Sequence, residues 1–196
     1  MTKFIVFDGV DCAGKGTQIS LLLKYLKKQG KSFWSTNEPC SFPNKLIDLH
    51  NVMFTKSEIM ALMLLDRQKH IENLEHFIKT ADYVICDRYY YSTYAYQCLL
   101  YGLSSIESMK QIHEYMGCPK PDIGIILTID YDTYFDRIME RGEVDEIEKD
   151  LTNQQKFWKL KDAYNKLDDY FPELVYIDGV GDVNKIHKKI LKAIGV

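Results

Sequence analysis

Apolar positions fall in two rhythms along this chain. Short unbroken runs recur, at Phe4-Ile5-Val6-Phe7, Tyr83-Val84-Ile85-Cys86 and Ile123 to Ile129, and between them apolar residues return every three to four positions. The runs read as buried strands and the spaced stretches as amphipathic helices. In chain order the pattern predicts a strand at Phe4 to Phe7 and a helix from Thr17 to Gln29. That helix carries Ile19, Leu22, Leu23 and Leu26 on one face and stops at Gly30. A strand at Ser32 to Thr36 precedes a long helix from Glu58 to Lys79, and strands follow at Tyr83 to Cys86 and Ile123 to Ile129. Helices at Tyr131 to Glu140 and Thr152 to Asp169, a strand at Leu174 to Ile177 and a helix at Val183 to Ile194 close the chain. Alternating strands and helices define an α/β fold, here a five-stranded parallel sheet with helices on both faces. Ligands of such sheets lie at the carboxyl ends of the strands.

Composition narrows the classes. No repeat or Pro/Gly/Ser-rich linker divides the 196 residues, so one domain spanning 1–196 is expected. The formal net charge of −3 argues against a protein that coats nucleic acid. The 5 cysteines, Cys12, Cys40, Cys86, Cys98 and Cys118, are scattered, which excludes a disulfide framework or zinc site and suits a reducing compartment. No signal peptide and no apolar stretch of about 20 residues stands in the sequence, so a cytoplasmic protein without a membrane span is expected.

The strongest chemical signal follows the first strand. Gly9-Val10-Asp11-Cys12-Ala13-Gly14-Lys15 fits G-x-x-x-x-G-K between a strand and a helix. Glycines permit the tight turn that gathers backbone N–H groups into an anion nest, and the helix N-terminus adds positive potential. Lys15 is placed to reach the β- and γ-phosphates of a nucleoside triphosphate. The next position usually carries a Ser or Thr that holds Mg²⁺. Here it is Gly16, and Thr17 is the hydroxyl that could reach the phosphates or a metal-bound water.

A second signal follows the third strand. Asp87 emerges where a carboxylate can hold Mg²⁺, and Arg88 offers a planar fork to a second phosphate. An Asp87–Arg88 ion pair is the competing account. Tyr89, Tyr90, Tyr91, Tyr94 and Tyr96 crowd the following segment; most should be core, with one or two free to pack on a sugar or base. Ser92, Thr93 and Gln97 could read a base edge.

Together these motifs resemble the thymidylate kinases. The resemblance rests on Phe7-Asp8-Gly9-Val10-Asp11-Cys12-Ala13-Gly14-Lys15, Asn37-Glu38-Pro39, Asp87-Arg88-Tyr89 and Ser92-x-x-Ala95-Tyr96-Gln97, in order and spacing. Glu58 to His70 is similar to that family's substrate helix, and Arg141 to Glu148 to its lid, about 141–150. The resemblance implies a P-loop NTPase fold and transfer of the γ-phosphate of ATP to dTMP, with Mg²⁺, by a homodimer. It implies that Asp11 to Thr17 hold ATP, and that Asp11 also sits by the acceptor's phosphate and sugar. Glu38 and Pro39 would form the acceptor-side loop and Arg67 would contact the thymine edge. Arg88 would grip the monophosphate, with Ser92, Thr93, Tyr96, Gln97 and Tyr164 around the acceptor. Arg137 and Arg141 would close over the transferring group.

The chain departs from that pattern in places. Gly16 resembles the Gly-Lys-Gly-Thr ending of adenylate kinases. Asn37 stands where an arginine is usual, with Lys45 a possible substitute cation. Met63 replaces a ring that stacks on thymine, and a thioether can cover a base face. Cys12 places the chain with relatives whose catalytic arginines lie in the lid, although Glu146 stands where one of those arginines is usual. For Arg137 and Arg141 the competing account is a solvated helix face. A kinase for dUMP or a modified pyrimidine deoxynucleotide fits these departures too. A non-catalytic nucleotide-binding protein is the alternative from another class, and it has no need of an acceptor pocket.

Overall fold

The computed structural model describes residues 2–41, 54–142 and 151–196. Lys45, Glu146 and the lid beyond Gly142 lie outside the described residues.

β1 (Lys3–Gly9) is buried along nearly its whole length and lies at the centre of the sheet. It pairs in parallel with β3 (Tyr83–Asp87) on one side and β4 (Ile123–Thr128) on the other. β2 (Phe33–Asn37) and β5 (Leu174–Asp178) form the edges, so the order is β2-β3-β1-β4-β5. Every pairing is parallel. Burial on both faces explains why β1, β3 and β4 read as unbroken apolar runs. In register, Phe7 faces Asp87 and Asn37 faces Asp87, so the carboxyl ends that carry the motifs line up along one edge of the sheet.

Helices cover the sheet as the spacing predicts. They are α1 (Lys15–Lys28), α2 (Lys56–Thr80), α5 (Tyr131–Arg141), α6 (Gln154–Lys166) and α7 (Val183–Ile194). Two further helical stretches lie between β3 and β4. α3 (Tyr90–Thr93) runs straight into a π-helical stretch, Tyr94–Leu100. Tyr90, Tyr91, Tyr94 and Tyr96 are all buried, so no polar face marks a period of 3.6. α4 (Ile106–Tyr115) does repeat at helical spacing, with Ile106, Met109 and His113 on its buried face; it starts at Ser105, whose hydroxyl accepts from Ser108 N.

Helix starts differ in one informative way. Thr55, Ser105, Asp130, Asn153 and Asp182 cap α2, α4, α5, α6 and α7 with side-chain oxygens. α1 begins after Gly14, at φ 94°, with no side-chain cap. Its first-turn N–H groups, which have no intrahelical carbonyl, stay open to another anion.

Candidate active site

The loop from Gly9 to Gly14 turns through left-handed backbone at Gly9, Cys12 and Gly14. Gly9 cannot be replaced, because a Cβ there would lie 2.3 Å from the Leu127 carbonyl oxygen. Lys15 lies buried across the loop and donates to the carbonyls of Gly9 (3.2 Å) and Val10 (3.0 Å). From outside the loop, Arg137 Nη1 donates to Cys12 O at 2.9 Å and Nη2 to Gly179 O at 3.0 Å. A trans peptide turns the next N–H the other way, so the bond to Cys12 O directs Ala13 N–H away from Arg137. Half-buried Arg137 is thus no solvated helix face; it fastens α5 to the loop and to the turn after β5. Arg141 is exposed at the end of α5, and its charge still reaches Asp11.

Arg88 faces the loop from the end of β3. It is held in the left-handed region, φ 65°, where a non-glycine side chain is strained. It pairs with Asp11, and its Nη1 donates to Ser92 Oγ (3.0 Å) and Gly9 O (3.3 Å). Its salt bridges run to Asp11 and, at 3.6 Å, to Asp8, which displaces the simple Asp87–Arg88 pair as its account. Asp11 also lies 4.0 Å from Lys15 Nζ. Burial favours its neutral form, but the Arg88 and Lys15 charges outweigh that and hold its carboxyl below the usual range. For Lys15, burial leads and the Arg88 charge adds to it, so its ammonium titrates below its ordinary value.

Asp87 behaves oppositely. Burial pushes its carboxyl up against the pull of Lys15 and Arg88. Its Oδ1 is buried and has no hydrogen-bond partner among the described residues. An open, buried carboxylate oxygen beside a phosphate loop suits a hard divalent cation. Thr17 is exposed on the first turn of α1, and nothing lies within 4 Å of where a Gly16 side chain would begin.

Asp8 is a site residue that sequence reasoning passed over. It is fully buried, and its carboxylate accepts from Gly9 N (2.8 Å), Ser92 N (3.0 Å), Ser92 Oγ (2.7 Å) and Tyr164 Oη (2.8 Å). It welds the loop to the start of α3 and seats Tyr164 beneath it. It stood in the Phe7-to-Lys15 motif as a charge placed directly between an apolar strand and Gly9, with no role assigned to it.

A second buried cluster lies further along. Arg67 Nε and Nη2 both donate to Glu38 Oε2, at 2.9 and 2.6 Å, while Glu38 Oε1 accepts from His70 Nδ1 at 2.9 Å. Burial favours a neutral Arg67, yet the Glu38 carboxylate outweighs it and raises the guanidinium above its ordinary range. Arg67 Nη1 donates to Thr93 Oγ1 (3.0 Å) and His113 Nε2 (2.9 Å), and its carbon sits 5.3 Å from the Tyr89 ring centre. Next to it, Asp66 accepts from Cys40 N and Ser41 N, both at 2.7 Å. Glu38 itself therefore points at Arg67 and His70, and Pro39 follows it through a cis bond. Met63 lies half-buried one turn before Arg67, and Gln97 half-buried on the π-helical stretch. Tyr96 Oη is buried without a partner among the described residues. Asp66 and His70 lie within the segment that resembles the substrate helix but had no role assigned there, and His113 carried no sequence signal; the partners of all three come from distant segments.

Fold and site together define a P-loop phosphotransferase of the nucleoside monophosphate kinase class. A family profile described as Thymidylate kinase matches residues 7–190, and the chain belongs to the thymidylate kinase family, enzymes of ATP-dependent phosphorylation of dTMP to dTDP. It is 32% identical over 195 residues to the thymidylate kinase of Desulfotalea psychrophila, covering 96% of this chain and 92% of that protein. It is 30% identical over 200 residues to a probable thymidylate kinase of Pyrococcus abyssi, covering 96% and 93%. A crystal structure of thymidylate kinase from Ehrlichia chaffeensis superposes with a TM-score of 0.74 at 20% identity, over 98% of each chain, and shares the fold.

Proposed function

We propose that this chain transfers the γ-phosphate of ATP to dTMP, giving dTDP and ADP for dTTP synthesis, at the junction of Lys15, Asp11 and Arg88. The observation that carries this reading is the shared carboxylate. Lys15 from the phosphate loop and Arg88 from β3 both face Asp11, so a donor subsite and an acceptor subsite meet at one wall.

The open first turn of α1 and the amides from Asp11 to Thr17 take the β- and γ-phosphates, with Lys15 between them. Arg88 takes the acceptor phosphate, and the two phosphates then stand in line. Asp11 holds Arg88 in place and faces the acceptor's sugar. Tyr96 Oη, buried and unpartnered among the described residues, is offered to that sugar. Arg67, Thr93, Gln97, Met63 and the Glu38-Pro39 loop surround the base, while Ser92 and Tyr164 fix the floor through Asp8. Arg141, at the root of a lid of about 141–150, brings a further positive charge toward the phosphoryl group, and Arg137 holds that root to the loop. Closure over the site keeps water from the phosphate. Asp87 and Thr17 are the residues that would hold Mg²⁺, which when bound neutralises charge on the phosphoryl oxygens.

The domain is read as a single unit, 1–196, working in the cytoplasm on nucleotides rather than nucleic acid. No helix of the described residues is long and apolar enough to cross a membrane. Pairing as a homodimer through helices suits the exposed Leu65 on α2. A coupled ADP-release assay with MgATP and a panel of dTMP, dUMP and dCMP tests the function. Turnover that requires a monophosphate and favours dTMP is expected; ADP release indifferent to every monophosphate would overturn it.

A further inference from the structure

A guanidinium carries five N–H hydrogens, and the fold engages four of those on Arg67. Nε and one Nη2 hydrogen go to Glu38, and the two Nη1 hydrogens go to Thr93 Oγ1 and His113 Nε2. One Nη2 hydrogen is left without an acceptor among the described residues. Because a guanidinium only donates, His113 Nε2 must accept, and the ring carries its proton on Nδ1. Nδ1 lies 2.8 Å from Tyr94 Oη and donates to it. The ring is pinned as well as hydrogen-bonded. It stacks on Tyr90 at 5.5 Å and 23°, and meets Tyr94 edge-on at 5.2 Å and 89°.

We propose that His113 is the positioning residue that sets pyrimidine selectivity. By accepting from Nη1 it leaves Arg67 a single free N–H of fixed direction. That N–H suits a base with a carbonyl oxygen at C4 and opposes one with an amino group there. The proposal rests on Arg67 contacting the base. Burial and the adjacent Arg67 charge push the His113 pKa down to about 3, so the ring remains a neutral acceptor near neutral pH. A protonated ring would turn a donor toward a donor and drive the guanidinium off its line. Without any acceptor, a second N–H would open, the guanidinium could tilt, and the ring nitrogen of a cytosine would come within its reach.

Steady-state kinetics of the full chain with MgATP and either dTMP or dCMP test this. His113→Phe keeps a ring but removes the acceptor. Its KM for dTMP should rise about ten-fold, as the misaligned Arg67 N–H loses its charged hydrogen bond to the base. The dTMP-to-dCMP ratio of kcat/KM should narrow by a similar factor, while KM for ATP stays put. His113→Gln, whose amide oxygen can stand where Nε2 stands, should restore the ratio. Tyr94→Phe, which deprives Nδ1–H of its acceptor, should shift it the same way by less. A folded His113→Phe protein with the wild-type ratio overturns the proposal, as does a folded His113→Gln protein that fails to restore it. If the phenylalanine variant does not fold, the glutamine and Tyr94 variants carry the test, and a wild-type ratio in Tyr94→Phe overturns the proposal. Arg67→Lys separates the two levels. A lysine variant with the wild-type ratio removes Arg67 from the base; a lysine variant that loses the ratio beside a His113→Phe variant that keeps it removes only His113.

Discussion

At the scale of single residues, function concentrates where cations are buried against few carboxylates. Lys15 donates to two loop carbonyls, Gly9 and Val10, yet burial and the Arg88 charge disfavour its ammonium. Removing it takes away both the bonds and that electrostatic cost. Lys15→Ala should therefore lower kcat about 10²–10³-fold, as loss of a preorganised charge does, with a thermal midpoint close to wild type in calorimetry. Arg88→Ala should act on the acceptor. Losing a charged hydrogen bond costs about 1.5–3 kcal/mol, read as a fall in kcat/KM for dTMP with little change in KM for ATP; equal losses for both nucleotides would contradict an acceptor role. These residues were legible in the sequence because spacing along one loop or strand end fixes them. Asp8, Asp66, His70 and His113 were not, since each acquires meaning only from a partner brought in by the fold. For Arg137 the resemblance implied a cation closing over the transferring group, with a solvated helix face as the competing account; neither anticipated the geometry, which sends both Nη groups to the backbone carbonyls of Cys12 and Gly179.

At the scale of elements, α2 works as a clamp. Adjacent residues grip the loop after β2 in two ways: Asp66 takes the amides of Cys40 and Ser41, and Arg67 takes the Glu38 side chain. Asp66→Ala would leave two amides without their acceptor while sparing Arg67. The expected result is a rise in KM for dTMP larger than the rise for ATP. Slower proteolysis at this loop than in wild type would contradict the clamp. Glu38→Gln strikes the other jaw, leaving the buried Arg67 charge half-compensated. Breaking such a pair costs about 3–5 kcal/mol, which denaturant titration would register as a lower midpoint at unchanged slope. The clamp's helix was readable, because Ile71 and Leu74 recur on a buried face beside polar neighbours. The spacing sets its start at Glu58, whereas the helix begins at Lys56, because Thr55 and Glu58 form a reciprocal cap ahead of the first apolar residue. The segment Tyr90–Leu100 escaped for the opposite reason: buried aromatics on every side erase the periodicity by which a helix is recognised.

At the scale of the whole molecule, the buried clusters set how stability depends on pH. His113 has its folded pKa pushed down from 6.5 to about 3 by burial and by Arg67, and burial lowers His187 too. Between those values the unfolded chain binds a proton that the folded chain does not. Stability is therefore full above pH 6.5 and falls as pH drops below it, by about 1.4 kcal/mol per pH unit for a fully coupled group. Asp87, raised by burial, opposes this trend above the ordinary carboxylate value of 3.8, because the folded chain holds its proton more tightly there. Asp11, lowered, adds its own loss only below 3.8. At the alkaline end Cys118, pushed by burial from 9.0 to about 11, reverses the sign. The unfolded chain loses that proton first, so stability falls above pH 9. The expected curve of unfolding free energy against pH is a plateau between about 6.5 and 9, with an acid limb that His113→Gln makes shallower. Urea titrations of both proteins at pH 7.5, 6.0 and 5.0 measure that limb, and two parallel limbs would show that a group other than His113 produces it.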